Sequence, residues 1–390
     1  MDTTSRQTDA PRLSGQRLNA IVSRLEKDVD AGAIPGAMIV VGSHDRVLFQ
    51  RAVGFRDATT RAPLRPDAIW RIYSMTKPLV TAAAMVFAEQ GRLRLDQPVA
   101  DFIPSFGKLH VIDPERSHSP AKHPPTIQDL MRHTAGLAYG YIGDSPAHRA
   151  YAADGFLQED LPNADFVDRL AALPLEHQPG TVWHYSHATD VLGHVLEVIS
   201  GHDLQQAMRE ALLEPVGMRE TVFQVHPTKR DRVAMPLRAA GKARPGFRDP
   251  CVPRRGQRGG GGLTSTASDY TRFLRMLLGN GRVDGERILS PSTVALMTAD
   301  HLGTGIRRAI YYPPGPGYGF GLGFAVRLSR GEAQFPGSVG DYFWSGVGGT
   351  YFWVDPACDL FALVLLHASS PEQRLYYRTL MRGMIYAALH

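Results

Sequence analysis

Cysteine is nearly missing from this chain of 390 residues: Cys251 and Cys358 stand far apart and outside any metal-ligand or redox spacing. A disulfide framework and a cysteine-built metal site are thereby excluded, and both residues are expected as free thiols. Long apolar runs are missing as well. No stretch reaches the ~18 residues of a membrane span, and residues 1–15 are polar, with no apolar core of a secretory signal. A membrane partner is not expected, and the chain reads as cytoplasmic. Repeats and low-complexity tracts are lacking too. What remains is ordinary globular composition, 43% hydrophobic and 21% charged, in a chain long enough for about one to three domains.

The formal charge of +5 is unevenly placed. Between Lys229 and Arg258 ten Lys/Arg face two Asp, more excess than the whole chain carries. The segment is rich in Pro and Gly and reads as a long irregular loop. Apart from Phe247 it lacks the aromatics of a nucleic-acid surface and matches no recognition motif. A solvated loop is expected, and no nucleic-acid partner.

Periodicity gives the elements. Leu18, Ile21, Val22, Leu25 and Val29 recur at helical spacing, and Ala37–Gly42 and Val47–Val53 follow as strands around the turn Ser43 to Asp45. From about Pro98 the character changes to helices and long loops. A short helix is expected from Thr126 to Gly136, then Ala164–Leu173, His187–Ser200 closed by Gly201, Leu204–Leu213, and Ala267–Leu278. The last third returns to strands at Tyr318–Leu328, Asp341–Ser345, Thr350–Val354 and Leu360–Leu366. Ser370 and Pro371 make a cap with a first-position proline for a final helix to Ala388. Strands at both ends with helices between predict an α+β domain built from both termini (16–97 and 262–390). A mostly helical domain (98–261) is inserted, and 1–15 form a flexible N-terminus.

The chemistry centres on Ser74, Met75, Thr76 and Lys77, followed by the apolar run Leu79–Ala88 and Gly91. Pro78 is tolerated only near a helix start, so the helix begins close to Ser74. Ser74 and Lys77 then sit one turn apart on one face. A desolvated lysine can take a serine's proton, and the helix N-terminus favours the developing negative charge. Alone, S-x-x-K is a loose pattern, equally written by a capping serine and a solvated lysine. Two further stretches complete a site. Tyr185, between Gly180 and His187 just before a helix, can act as a general base beside a lysine, or hold the lysine in place. Phe343 to Gly349 is a strand ending in glycines, where substrate can approach the backbone and an N–H can face a carbonyl oxygen. The four glycines 259–262 fit a place where backbone passes close to something else. His184 and His187 form H-x-x-H without an identifiable third ligand, so structural roles are expected. His133 reads as packing or capping, and Tyr139 and Tyr141 as pocket or core.

These stretches, in this order, resemble the serine β-lactamase and penicillin-binding-protein superfamily, whose relatives carry S-x-x-K, S-D-N and K-T-G. The class C branch, with Y-x-N in second place, is the nearer comparison. Leu130–Leu137 is similar to its H-T-S-G-L, and Gly259–Ser265 to its G-G-L-x-S-T. The resemblance runs from about Ile34 to the final helix. It implies an antiparallel sheet flanked by the N- and C-terminal helices. It also implies an oxyanion site at the N–H groups of Ser74 and Val347.

The chain departs from that pattern in two places. Trp344, Ser345 and Gly346 replace K-T-G, removing a cation that helps hold a substrate carboxylate; losing it costs ~1.5–3 kcal/mol of anion binding. Tryptophan there resembles family VIII carboxylesterases, and an apolar wall suits a neutral ester. His187 stands where β-lactamases have asparagine. The elbow G-x-S-x-G does not occur. The expectation is a serine carboxylesterase of small neutral esters, with Ser74 as nucleophile and Lys77 and Tyr185 as base pair. Val347, Trp344, Gly346, His187 and Tyr139 are expected around the substrate, with no cofactor or metal. A β-lactamase or D-peptidase, an acyltransferase of the same fold, and a non-catalytic member are the rivals.

Overall fold

In the computed structural model, which describes residues 11–390 except 114, 116, 157–158, 238–247 and 369, the first described helix meets the end of the last. The helix Gly15–Asp30 is capped by Ser14, and Ser14 N–H donates to Ala388 O at 2.8 Å. The final helix, Pro371–Ala387, starts as its sequence signal required, with Ser370 accepting from Gln373 N–H. Phe247, in the basic segment, lies outside the described residues.

An eight-stranded antiparallel sheet forms the centre, in the order Tyr318–Phe320, Ala325–Arg327, Tyr342–Ser345, Tyr351–Asp355, Leu360–Leu366, Gly36–Gly42, Val47–Asp57, Ala62–Pro63. Leu360–Leu366 and Gly36–Gly42 pair in the middle, Ala37 opposite Leu366 and Gly42 opposite Phe361. Both strands are buried along their whole length, because helices cover both faces. Phe352 meets Tyr270 of the helix Ala267–Leu278 at 5.4 Å between ring centroids. The next residue, Trp353, points the other way and meets Tyr386 of the final helix at 6.3 Å. Period-two alternation thus splits one strand between two helical layers.

Three expectations are corrected. Tyr318–Leu328 is not one strand but a hairpin, Tyr318 opposite Arg327, because Gly323 at φ +88° reverses the chain. The helix expected from Thr126 ends at Met131, since His133 takes a left-handed φ of +57°. The helix Leu204–Leu213 is α only to Met208 and widens to a π turn over Arg209–Leu213. Pro215, which has no N–H to give, follows that turn. Short helices at Pro146–Asp154 and Pro291–Met297 add to the expected set, Ser145 and Ser290 carrying the same Ser-Pro start as the final helix. No helix among the described residues is long and apolar enough to cross a membrane.

Candidate functional site

Tyr73 sets the site. It adopts a left-handed φ of +47°, unusual for a bulky residue and costly enough to need support from its surroundings. Tyr73–Met75 form one 3-10 turn that runs into the α-helix Thr76–Glu89, so Ser74 stands at the mouth of a helix. The strand Ile69–Arg71 before it pairs with Thr264–Thr266, which brings the glycines 259–262 alongside. Glycines 346 and 348 close the other side: a Cβ at Gly346 would lie 2.7 Å from Ile72 O, and one at Gly348 would lie 2.2 Å from the Tyr73 ring. The close approach at these two glycines is therefore made by the chain's own Thr350, Ile72 and Tyr73. Thr350 Oγ1 also donates to Ile72 O at 3.3 Å.

Lys77, only 1% exposed, points at Ser74 as the spacing predicted. Its Nζ donates to Ser74 Oγ at 3.3 Å, to Tyr139 Oη at 3.1 Å and to Gly260 O at 2.6 Å. Tyr185 is present but differently engaged: its ring lies beneath Nζ, 4.7 Å from the centroid, a cation–π contact. The rings of Trp183, Trp344, His133 and Tyr139 surround Tyr185 at 4.9–6.1 Å. Trp344 is 3% exposed, and its indole Nε1 finds no partner among the described residues. Val347, 54% exposed, follows it at the rim, and its carbonyl accepts from Arg374 at 2.7 Å.

His187 lies buried just before the helix Ala188–Ser200. Its Nδ1 bonds Asp190 Oδ2 at 2.7 Å, and its ring packs edge-on against Tyr139 at 4.2 Å. Burial lowers the His187 pKa, partly offset by Asp190, so the imidazole is neutral at pH 7. Burial disfavours the Asp190 charge, but His187, Lys77 and Arg258 outweigh it and hold the carboxyl below its usual range. His184 turns away to His148, with the two Nε2 atoms 3.2 Å apart. Burial and the neighbouring His177 and His148 depress His184 to about 3. His133 lies buried against Tyr185, its pKa lowered mainly by burial. Tyr141 stacks on Tyr139 at 4.9 Å. Among the described residues no group of three or more His, Cys, Asp or Glu is placed to hold a metal.

Three further groups stand at the site, none of them expected from sequence. Asp190 is three residues past His187, a spacing that carried a usable signal. The Gly260 carbonyl carried only its glycine run. Arg378, from the final helix, donates to Ser345 Oγ at 2.6 Å and so returns a cation beside the stretch where Trp344 had removed one. Nothing local to the motif announces it. Part of the basic segment (Arg248, Arg254 and Arg258) lines a cavity of about 310 Å³ that reaches Tyr73.

A model of the beta-lactamase family matches residues 21–382. Protein Rv1367c of Mycobacterium tuberculosis is 39% identical over 86% of this chain and 86% of its own. Esterase EstB of Burkholderia gladioli is 30% identical over 99% of this chain and 98% of its own. The solved structure of EstCE1, described as a hydrolase with promiscuous acyltransferase activity, superposes with a TM-score of 0.80 at 28% identity. The match covers 95% of this chain and 99% of that one.

Proposed function

The chain belongs to the beta-lactamase family and is a serine hydrolase of that fold, and within it we propose a carboxylesterase that cleaves small esters through an acyl-enzyme on Ser74. The carrying observation is Lys77 Nζ, buried and within 3.3 Å of Ser74 Oγ. Ser74 Oγ attacks the ester carbonyl carbon. Tyr185, coupled to Lys77, accepts the hydroxyl proton and passes it to the departing alkoxide as the carbonyl–oxygen bond breaks. The N–H groups of Ser74 and Val347 receive the oxyanion. Water, deprotonated by the same pair, attacks the acyl carbon and returns the proton to Ser74 as the acid leaves. The tryptophan wall at Trp344 favours a neutral acyl or alcohol group, and the similarity to Esterase EstB supports ester chemistry.

A second reading has an observation of its own. Arg378 beside Ser345 offers a guanidinium to an anionic substrate, as a β-lactamase or D-peptidase requires. The two part on steady-state hydrolysis of p-nitrophenyl acetate, p-nitrophenyl butyrate and nitrocefin by wild type and Ser74→Ala. Ester turnover with little nitrocefin cleavage, abolished in Ser74→Ala, is expected. Nitrocefin turnover equal to that of the esters would give the second reading the lead.

A further inference from the structure

An ammonium on four methylenes is a mobile point charge, yet catalysis needs Lys77 Nζ held to a fraction of an ångström. Its described hydrogen-bond partners, Ser74, Tyr139 and the Gly260 carbonyl, are all neutral. The shortest of these contacts leads onward. Gly260, whose carbonyl accepts from Lys77 at 2.6 Å, donates its own N–H to Asp190 Oδ1 at 2.7 Å. A Cβ at this glycine would stand 2.8 Å from both Asp190 oxygens, so the approach requires glycine. Asp190 Oδ2 accepts a hydrogen bond from His187 Nδ1 at 2.7 Å. His187 in turn packs on Tyr139, the phenol that also bonds Lys77. Two routes, one through Gly260 and one through His187 and Tyr139, therefore converge on Nζ from a single buried carboxylate.

We propose that Asp190 is the positioning residue of this site, fixing Lys77 Nζ between Ser74 and Tyr139 through Gly260 and His187 and supplying its buried counter-charge. The inference rests on Ser74 as nucleophile. It also gives His187 a purpose where related enzymes carry asparagine: a neutral imidazole braces the carboxylate and leaves substrate contacts to others. Four groups besides Asp190 complete the field around Lys77. The phenols of Tyr139 and Tyr185 face it, His133 is held neutral by burial, and Arg258 shares the field of Asp190 from its seat over the Phe166 ring, 3.9 Å from the centroid.

Asp190→Asn keeps an oxygen for the Gly260 N–H, removes the charge, and sets an NH2 against His187 Nδ1, which accepts from it once the ring takes its other tautomer. Taking a buried negative charge away from the site favours the less protonated enzyme, so the acid limb of kcat/KM should move down by about one pH unit. At the same time kcat should fall about 10-fold with KM little changed, and in Asp190→Ala, which loses the geometry too, about 100-fold. A merely structural Asp190 would change stability and leave the pH limb in place. The experiment is the pH profile of p-nitrophenyl acetate hydrolysis in the full-length chain, with intact mass after the activated ester to count acylated Ser74. Wild type that is not acylated at Ser74 overturns the nucleophile reading and this inference with it. Acylated wild type beside an Asp190→Asn enzyme with unmoved limb and kcat within twofold overturns the positioning role alone. Should Asp190→Asn not fold, Gly260→Ala, which keeps every charge but displaces the carboxylate, must lower kcat about 10-fold at constant KM; an unchanged kcat there overturns the proposal.

Discussion

Two phenols face one ammonium in this site, and they do not share a role. Tyr139 Oη receives a hydrogen bond from Lys77. Burial, reinforced by Tyr141, Tyr185 and Asp190, pushes its pKa well above the ordinary value. Tyr139 stays protonated at neutral pH and serves as a fixed partner for the lysine, which leaves Tyr185 as the proposed base. Tyr139→Phe should therefore lower kcat about 10-fold by releasing one bond on Lys77. Tyr185→Phe should cost about 10³-fold, read as turnover of p-nitrophenyl acetate. A larger loss in Tyr139→Phe than in Tyr185→Phe would transfer the base role to Tyr139. Ser74, Lys77 and Tyr185 were legible in sequence because each sits at an interruption of pattern, a helix start or a strand-to-helix junction. The Tyr139 hydroxyl was not: an aromatic after a turn reads alike as pocket and as core, and only its distance to Nζ separates the two.

Among the elements, the strand Tyr342–Ser345 needs the most support, because it carries the third motif beside Tyr185 and the rim. Asp341, fully buried just before it, is paired with Arg327 Nε at 2.7 Å and Arg382 Nη2 at 2.9 Å. Tyr318 Oη adds a bond to the same carboxylate at 3.1 Å. Removing the shared anion leaves two buried guanidinium groups facing each other, so Asp341→Ala should destabilise the chain by about 3–5 kcal/mol. Urea unfolding followed by circular dichroism checks this, and a loss under 1 kcal/mol would mean that the cluster is solvated or dispensable. Helices and strands with long periodic runs were legible to within a few residues, Leu360–Leu366 and Ala267–Leu278 to the residue. The hairpin inside Tyr318–Leu328 and the π turn after Met208 were not. Both depend on backbone torsions at one or two positions, to which side-chain periodicity is blind.

Taken as a whole, the molecule buries neutral imidazoles in the region of its candidate site. His133, His184 and His187 all have pKa values lowered chiefly by burial. Below the ordinary histidine value of about 6.5 the unfolded chain binds protons that the folded chain refuses, so stability must fall as pH falls. For His184 the window extends from there down to about 3. Each such histidine adds a slope of up to ~1.4 kcal/mol per pH unit. Urea midpoints measured between pH 7 and pH 4.5 should decline, and His184→Gln should decline less steeply. A flat wild-type profile would show that these rings are protonated in the folded state.

Sequence by itself determined that a serine and a lysine share one helical turn, that a tyrosine lies just before a later helix, and that strands at both ends enclose helices. These follow from local rules: side-chain spacing on a helix, caps and prolines at helix starts, and alternation along strands. Tertiary structure alone decided which groups those residues meet. The carbonyl of Gly260, 183 residues from Lys77, becomes its shortest contact because two strands pair. Arg378 reaches Ser345 because the final helix lies across the sheet. The glycines of the third motif admit Tyr73 because the sheet ends there. Contacts between distant segments depend on how layers pack, and no local pattern encodes that distance.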